Sequence, residues 1–418
     1  MNDTGFTRHT RWDTATSVLR YLRTHDTGGT RSDIMNHLAL SSSTMTDTCA
    51  KLRDLNLIFE QSVHSQRRGR PSLMVRPHPR GPVVALIDVS HTHWRLAFAH
   101  IDGIPHIHRV ESIPPSRTIF LRSLTDVLTN AHNELGSRLV CVVVSMRSTI
   151  TENTHTQPVF LGWDHLDFTD LVTQLAPLPV MIENNATLSA LAEYHHRRGA
   201  AHGYRGVLLI DITSSIGGAF ISHGSVVSGA TGSGGEYGHL PMGDPTIQCR
   251  CGAYGCWSTV TDGYALARSL GDPPPVDPEE YVHTISDECL LDPEGVYATV
   301  RDITAHGPLQ TRTLTSARTN LGQGLATIAQ GLGRGLAGLT NALAPDVIVM
   351  SGHALTVRRL ASRAFTQAFD NALMDVRRTR APAIASAVFG SEGYLRGGAI
   401  LALDTVITPA YLDARSHH

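Results

Sequence analysis

Apolar residues recur at helical spacing through the first part of the chain and then alternate as they do in strands. The hydroxyl run Ser41–Thr44 is suited to cap a helix, and Gln66–Pro71 is a basic turn between two strands. The predicted elements are helices over about residues 12–23, 31–38 and 44–55 and strands over residues 57–63 and 73–76. Three helices followed by a two-stranded wing predict a winged helix-turn-helix domain over residues 1–80.

Beyond the breaker-rich linker Pro77–Pro79, apolar strands alternate with helices in two rounds. The predicted strands are residues 83–88, 95–100, 139–145, 180–182, 206–212 and 347–351, and the predicted helices are residues 121–135, 186–195 and about 320–343. This order predicts an α/β architecture in two lobes. We expect residues 81–200 to form a small lobe that is completed by residues 386–418, and residues 201–385 to form a large lobe. No internal repeat is exact enough in sequence to support the division.

The net charge of −2 hides an uneven distribution of charge along the chain. Residues 1–80 hold twelve Lys or Arg and seven Asp or Glu, a balance of +5, whereas the rest of the chain carries −7. A basic head on an acidic body indicates that the head binds a polyanion, and a helix with small polar residues at its N-terminus can enter the major groove of DNA. The expected DNA-contacting residues are Ser42, Ser43, Thr44, Thr46, Asp47 and Lys51 on the third helix and Arg67, Arg68 and Arg70 in the wing.

Three of the six cysteines crowd into the segment Cys249–Cys256, shortly after His239. Three thiolates and an imidazole form a closed tetrahedral donor set, which is typical of structural zinc and leaves no position for a reactive water. The predicted ligands of Zn2+ are His239, Cys249, Cys251 and Cys256. The alternative is a cluster of reduced thiols beside a surface histidine. The scattered cysteines are expected to be buried as small apolar residues; they are Cys49, Cys141 and Cys289.

With its surroundings, the cysteine segment resembles the hallmark of the ROK family of repressors and sugar kinases. Gly235–His239 and Cys249–Cys256 keep that hallmark's spacing, and the segments Leu40–Thr46 and Gly69–Pro71 are similar to the winged helix of the family's repressors. The resemblance covers nearly the whole chain and points to repressors of the xylose and N-acetylglucosamine type. It implies a two-lobed actin-like, sugar-kinase-like fold with ribonuclease-H-like lobes behind the winged helix.

The resemblance also assigns roles in a sugar site. His239 would bind zinc through one ring nitrogen and a sugar hydroxyl through the other, and Glu236 would accept hydrogen bonds from adjacent hydroxyls. The segment Leu178–Ala186 is similar to the family's Pro-Val-x-x-Glu-Asn-Asp-Ala, which places Asn184 and Asn185 in the same site. In the family's kinases an aspartate at the position of Asn185 takes the proton from the attacking hydroxyl. Asn185 can bind that hydroxyl but cannot accept its proton, so no catalytic residue is expected.

The phosphate-binding turns also depart from the kinase pattern. Asp-x-Gly-Gly-Thr is replaced by Asp88–Thr92, Gly-Thr-Gly-Ile-Gly by Thr213–Gly217, and the adenosine-side Gly-Gly by Ser351–His353. Side chains occur there where the backbone would approach phosphate, so ATP-dependent catalysis is not expected. Arg147 and Ser258 replace a glycine and a glutamate around the sugar, which leaves the ligand open between a monosaccharide, an oligosaccharide, a sugar phosphate and none.

We therefore expect a sequence-specific regulator of carbohydrate-metabolism genes, with repression favoured over activation, whose kinase-like domain senses a sugar or sugar derivative. Its partners would be a double-stranded DNA operator, the small effector and further copies of the chain in a homodimer or dimer of dimers. The alternatives are an active ATP-dependent sugar kinase with an accessory DNA-binding head and a zinc hydrolase, against which the closed Cys₃His set argues. No signal-peptide pattern and no apolar span of bilayer length is found in the sequence, which predicts a cytoplasmic protein with no membrane partner.

Overall fold

The computed structural model describes residues 4–26, 28–63, 72–213, 215–278, 280–282, 284–285 and 314–417. The chain divides into two compact units. Residues 1–158, 165–202 and 391–418 form the first unit, and residues 159–164 and 203–390 form the second. The C-terminal segment therefore returns to the unit that contains the N-terminus.

The N-terminal part of the first unit has the element order of a winged helix. Its elements are α1 (Thr4–Thr24), β1 (Gly29–Thr30), α2 (Arg31–His37), α3 (Ser42–Asp54), β2 (Ile58–Val63) and β3 (Ser72–Pro77). Strand β3 lies between β1 and β2 in an antiparallel sheet. Leu19, Ile34, Met45 and Leu52 are fully buried, which is the apolar face that their helical spacing predicts. The three helices and the two wing strands predicted from the sequence are confirmed.

The rest of the chain alternates between strands and helices. The strands are β4 (Val83–Val89), β5 (His93–Ala99), β6 (Pro105–Ser112), β7 (Leu139–Met146), β8 (Ile150–Thr151), β9 (His155–Thr156), β10 (Leu166–Asp167), β11 (Val180–Asn184), β12 (Gly206–Ile212), β13 (Ile216–Ser222), β14 (Ser225–Val226), β15 (Val347–Gly352) and β16 (Ala383–Ser386). The helices are α4 (Arg117–Leu135), α5 (Thr169–Leu175), α6 (Asn185–His195), α7 (Gly263–Leu270), α8 (Leu314–Leu343), α9 (Ala354–Leu360), α10 (Ser362–Ala372), α11 (Asp375–Arg378), α12 (Glu392–Val406) and α13 (Pro409–Arg415). Helix α4 begins four residues before the predicted Leu121. The sequence pattern missed this first turn because it exposes Arg117 and Ile119 and shows no apolar periodicity.

Each unit contains one five-stranded sheet, and the two sheets have the same topology. The order is β11-β7-β4-β5-β6 in the first unit and β16-β15-β12-β13-β14 in the second. In both sheets the first three strands are parallel and the remaining pairings are antiparallel. Strands β4 and β7 are buried along their whole length, as is typical of strands covered on both faces.

Close approaches to the backbone fix the packing of helices within each unit. In the first unit, a Cβ atom at Gly397 of α12 would lie 1.8 Å from the carbonyl oxygen of Leu188 in α6, so these helices require glycine at that contact. In the second unit, the fully buried Trp257 donates from Nε1 to the carbonyl oxygen of Gly331 in α8 at 2.9 Å. A Cβ atom at Gly335, one turn further along α8, would lie 2.1 Å from the Trp257 ring. The segment that follows the last cysteine is therefore anchored to the longest helix of the described chain.

Candidate metal centre and ligand site

The four predicted metal ligands converge in the second unit. One donor atom from each of His239, Cys249, Cys251 and Cys256 lies within 4.8 Å of every other. The Sγ atoms of Cys251 and Cys256 are 3.7 Å apart, and His239 Nδ1 lies 3.7 Å from the Sγ atom of Cys249. Two Zn–S bonds of about 2.3 Å at a tetrahedral angle place their sulfurs about 3.8 Å apart. The donor set therefore fits a tetrahedral ion of this size.

Two left-handed glycines allow the cysteine loop to fold back so tightly. Gly252 has φ +93° and Gly255 has φ +70°, a region that favours glycine. The backbone N–H of Cys249 donates to the carbonyl oxygen of Ala253 at 2.7 Å, and that of Gly252 donates to Cys249 at 2.9 Å. Burial, with Cys251 beside it, raises the pKa of the Cys256 thiol to about 12. A metal ion must therefore displace a proton to bind this sulfur.

The ring of His239 has a metal side and a solvent side. Its Nδ1 atom is directed to the cysteine cluster, whereas its Nε2 atom lies 3.9 Å from Oε2 of Glu236. Both side chains are partly exposed, at 37% for His239 and 34% for Glu236. A carboxylate beside the second nitrogen of a metal-binding histidine orients the ring, and both groups can still bind a ligand from solvent.

Ser258, where a glutamate was expected, joins two parts of the second unit. Its side chain is buried, and its Oγ atom donates to the carbonyl oxygen of Gly238 at 3.0 Å and accepts from the N–H of Ile216 at 3.4 Å. Gly238 directly precedes the candidate metal ligand His239, and Ile216 belongs to the second phosphate-like turn, Thr213–Gly217. This serine therefore holds two loops together, a role that its sequence position did not suggest.

Asn184 and Asn185 lie where β11 leads into α6 in the first unit. Asn184 is the N-cap of α6: its Oδ1 atom accepts from the N–H of Ala186 at 2.8 Å, and its Nδ2 atom donates to the carbonyl oxygen of Ser148 at 3.1 Å. The side chain of Asn185 is almost fully buried. The side-chain amide of Asn184 therefore keeps one lone pair on Oδ1 and one hydrogen on Nδ2 for a ligand. Burial raises the pKa of the preceding Glu183, whose Oε1 atom accepts from the N–H of Asn184 at 2.7 Å.

The acidic residue of the first phosphate-like turn is neutralised from within the chain. Asp88, at the end of β4, lies opposite Arg95 of β5 in the antiparallel register. The guanidinium of Arg95 donates to Oδ2 of Asp88 from Nε at 3.0 Å and from Nη2 at 2.5 Å. Nη2 also donates to the carbonyl oxygen of Ser391 at 3.1 Å. The guanidinium therefore neutralises the Asp88 carboxylate and occupies one of its two oxygens. The sequence pattern contains this signal, since a hairpin centred on residues 91 and 92 pairs positions 88 and 95.

The predicted contacts of the third helix lie together on its exposed side. Ser42, Ser43, Thr44, Thr46 and Asp47 are exposed and Lys51 is half-buried. Ser41 caps α3 by accepting from the N–H of Thr44 at 3.1 Å. Glu60 of β2, whose side chain is 4% exposed, pairs with Arg53 of α3 at 3.1 Å and with Arg31 of α2, so the helix is fixed to the wing strand. The predicted wing contacts Arg67, Arg68 and Arg70 lie outside the described residues, as does Cys289.

Residues 87–405 match the ROK family. The chain belongs to the ROK family. The glucokinase of Halalkalibacterium halodurans is 30% identical over 200 residues, which cover 46% of this chain and 54% of that protein. The xylose repressor of Bacillus spizizenii is 24% identical over 253 residues, which cover 57% of this chain and 63% of that protein. Relatives of this ROK protein thus include both kinases and repressors, and the chain spans less than two-thirds of the length of either one.

Two solved structures share the fold. A ROK family transcriptional regulator described as a homolog of the E. coli MLC protein superposes with a TM-score of 0.64 at 18% identity, over 97% of this chain and 99% of that one. A ROK family glucokinase from Streptomyces griseus, solved with glucose and AMPPNP, gives a TM-score of 0.57 at 20% identity, over 77% of this chain and 99% of that one. The α/β sugar-kinase-like, actin-like fold expected from the sequence is therefore confirmed. No described helix is both long and apolar enough to cross a membrane.

The candidate metal ligands form one cluster, whereas the expected sugar-binding residues are divided between the two units. The four candidate metal ligands lie together, and Cys49 and Cys141 are buried elsewhere. Asn184 and Asn185 belong to the first unit, whereas Glu236 and His239 belong to the second. The site assignments therefore enter the proposal that follows.

Proposed function

We propose that this ROK protein is a sequence-specific DNA-binding regulator, acting as a repressor of carbohydrate-metabolism genes, whose kinase-like lobes bind a sugar or sugar derivative without phosphorylating it. The winged helix is the observation that carries the proposal. Its helix α3 presents a run of small hydroxyl side chains, Ser42, Ser43, Thr44 and Thr46, at an exposed N-terminus. Such a helix end can approach base edges closely while its N–H groups face phosphate.

The proposal includes a dimer that binds two half-sites on double-stranded DNA. A dimer places two recognition helices about one turn of DNA apart, at about 34–36 Å. Lys51 and the wing residues Arg67, Arg68 and Arg70 would contribute phosphate or groove contacts. Each phosphate contact adds to the salt dependence of binding.

In this proposal the effector is held but not phosphorylated. Glu236, Asn184, Asn185 and the Nε2 atom of His239 would bind hydroxyl groups of the sugar. Asn185 cannot take a proton from the hydroxyl that would attack phosphate. The pairing of Asp88 with Arg95 supports the same conclusion, because it occupies a carboxylate of the phosphate-like turn.

We further propose that His239, Cys249, Cys251 and Cys256 hold a structural Zn2+ ion. Three sulfurs and one nitrogen at tetrahedral separations fit this metal. When bound, the ion would fix the ring of His239 and thereby the position of its second nitrogen. The set fills a four-coordinate shell, so the hydrolase alternative is not favoured.

The decisive experiment combines selection of DNA sites with release by sugars. The full chain would be used to select duplexes from a random library, and an electrophoretic shift would measure affinity with D-xylose, D-glucose or N-acetylmannosamine present. We expect a preferred two-half-site duplex, binding that weakens steeply with salt, and release by at least one sugar. Binding without any sequence preference at any salt concentration would refute the proposal.

The second candidate function is an active sugar kinase, which the 30% identity to a glucokinase favours. A coupled ADP-release assay with the same three sugars and Mg-ATP tests it directly. Turnover within the usual kinase range of about 1–100 per second would establish this alternative. We expect no ADP release above the protein-free background.

A further inference from the structure

Asp26, in the turn that follows α1, binds three side chains from the α/β part of the first unit. Its Oδ1 atom lies 3.1 Å from His196 Nε2 and accepts from Arg396 Nη1 at 2.8 Å, and its Oδ2 atom accepts from Arg198 Nη1 at 2.6 Å. His196 and Arg396 are 2% and 12% exposed, and Asp26 itself is 21% exposed. We call these four residues the Asp26 cluster. It is a largely buried connection between the winged helix and the helices behind it.

The protonation of the Asp26 cluster follows from its hydrogen bonds. The backbone N–H of Arg198 donates to Nδ1 of His196 at 3.2 Å, so the Nε2 atom carries the hydrogen and donates it to Asp26. Burial lowers the pKa of His196, which keeps the ring neutral. Burial alone would raise the pKa of Asp26, but the hydrogen bonds and charges of its partners, first Arg396 and then Arg198, together outweigh burial and lower that pKa. Asp26 is therefore a carboxylate held by two guanidinium groups and one imidazole.

Helix α6 connects the Asp26 cluster to the proposed effector residues. Asn184 is its N-cap and Asn185 its first residue, while His196 is its C-cap. An 11-residue helix is about 16 Å long. The backbone N–H of Arg197, just beyond the helix, also donates to the carbonyl oxygen of Thr24 in α1 at 3.2 Å. A displacement at one end of α6 therefore reaches the turn after α1 at the other end.

Helix α12 packs closely against α6 and provides a second attachment to α1. Its Gly397 lies against the backbone of Leu188 in α6, where no Cβ atom fits. Arg396, the neighbour of this glycine, is the arginine of the Asp26 cluster. Eight residues further along α12, Asp404 pairs with Arg23 of α1, whose side chain is only 3% exposed. Separating α1 from α12 would break an ion pair whose guanidinium is almost fully buried, so this contact opposes their separation.

We infer that α6 couples effector binding to the winged helix, and that this coupling acts through the Asp26 cluster. This inference rests on the proposed function, because it takes Asn184 and Asn185 as effector contacts. A ligand that shifts the N-terminus of α6 repositions the Asp26 carboxylate and with it α1. The winged helices of a dimer then lose the spacing that two half-sites require. Asp26 is a positioning residue and contacts neither DNA nor ligand.

Asp26→Asn in the full chain tests the coupling role of the Asp26 cluster, because the asparagine side chain keeps the shape of the carboxylate but loses its charge. The readout is the coupling factor, which is the operator dissociation constant with the releasing sugar divided by that without it. Coupling factors are typically about 5–150-fold. We expect Asp26→Asn to lower the factor at least fivefold while the protein still binds both DNA and the sugar. Arg198→Gln, at a side chain that is 66% exposed, should lower it about twofold and serves if Asp26→Asn does not fold.

Arg20→Gln is the matched control. Arg20 also joins α1 to Asp404 of α12, at 3.5 Å, but it is 57% exposed and makes no hydrogen bond to the Asp26 cluster. Its coupling factor should equal that of the wild type. Hydrogen exchange of residues 12–26 should change on addition of the sugar in the wild type and in Arg20→Gln, but not in Asp26→Asn.

The outcomes separate the inference from the function on which it rests. Folded Asp26→Asn and Arg198→Gln proteins with the wild-type coupling factor would overturn the inference and leave the regulator intact. Equal loss of coupling in Arg20→Gln would also overturn it, because any weakening of the contact would then suffice. A wild-type protein that selects no DNA site, or is released by none of the three sugars, would overturn the proposed function and this inference with it.

Discussion

The buried carboxylate of Asp262, in the second unit, should make the stability of the protein depend on pH by an amount that can be measured. Asp262 caps α7, and its Oδ1 atom accepts from the N–H of Ala265 at 2.8 Å. The residue is 8% exposed, and burial raises its pKa from 3.8 to about 7, against the opposing charges of Arg268 and Arg250. Between about pH 4 and pH 7 the folded protein therefore keeps a proton on Asp262 that the unfolded chain has already lost.

The sign of the pH effect follows from that difference. Below about pH 4 both states are protonated, so Asp262 contributes no pH dependence. Between about pH 4 and 7 only the folded state holds the proton, and stability falls as the pH rises. Above pH 7 both states are charged and the loss is complete. A raised pKa of about three units corresponds to a loss on the order of 4 kcal/mol, at about 1.4 kcal/mol per unit.

Asp262→Asn removes this titration and keeps the cap, because asparagine is as good an N-cap as aspartate. We expect the variant to unfold at a higher temperature than the wild type, by a difference that grows from pH 5 to pH 7 and then levels off to pH 8. Differential scanning calorimetry at pH 5, 6, 7 and 8 measures the difference. Asp375→Asn, at a carboxylate that is 93% exposed, is the control and should show no such trend. A difference for Asp262→Asn that is constant or shrinks with rising pH would refute the reasoning.

Three further predictions concern the metal, the chemistry and the DNA contact. Cys256→Ser should lower bound zinc from about one ion per chain to less than a tenth of that and lower the unfolding temperature, since a structural metal contributes folding free energy; elemental analysis by plasma mass spectrometry measures the zinc. Asn185→Asp should restore no sugar-dependent ADP release in the coupled assay, because Asp88 stays paired with Arg95 and the three turns still lack several glycines of the kinase pattern. Lys51→Ala should weaken binding to all duplexes alike and reduce the slope of log affinity against log salt by about one, as measured by fluorescence anisotropy.

Each of these predictions has a control and a contrary result. Tyr254→Phe changes the exposed tip of the cysteine loop and should keep its zinc; full zinc in Cys256→Ser would show that Cys256 is not a ligand. Turnover by Asn185→Asp alone would show that the altered turns still bind ATP. Arg109→Ala removes an exposed charge outside the winged helix and should leave the salt slope unchanged; a Lys51→Ala protein that discriminates less between duplexes would indicate a base contact.

Local patterns in the sequence were sufficient for features whose parts lie near one another along the chain. The apolar spacing of residues 12–23 and the continuous apolar run of β4 predicted a helix and a buried strand that the structure contains. The four candidate metal ligands could also be found, because three of them fall within eight residues whose glycines permit a tight loop. In such cases a backbone period or a short spacing already limits the geometry.

The tertiary structure alone decided the features that depend on distant residues. The Asp26 cluster joins positions 26, 196, 198 and 396, and no local pattern links them. The common strand order of the two sheets is hidden from the sequence, because backbone hydrogen bonds create it and many side-chain combinations satisfy it. Asn184 was recognisable as a ligand candidate but not as the cap of α6.

The sequence by itself thus determined the helices and strands of the N-terminal segment, the α/β order and the four candidate metal ligands, because periodicity and close spacing constrain local backbone geometry. Only the tertiary structure decided that Ser258 joins two loops and that Asp26 attaches the winged helix to α6. Those contacts exist because burial favours pairing of each charge or hydroxyl with whatever partner the fold brings near, and the fold sets that partner through the packing of the whole unit.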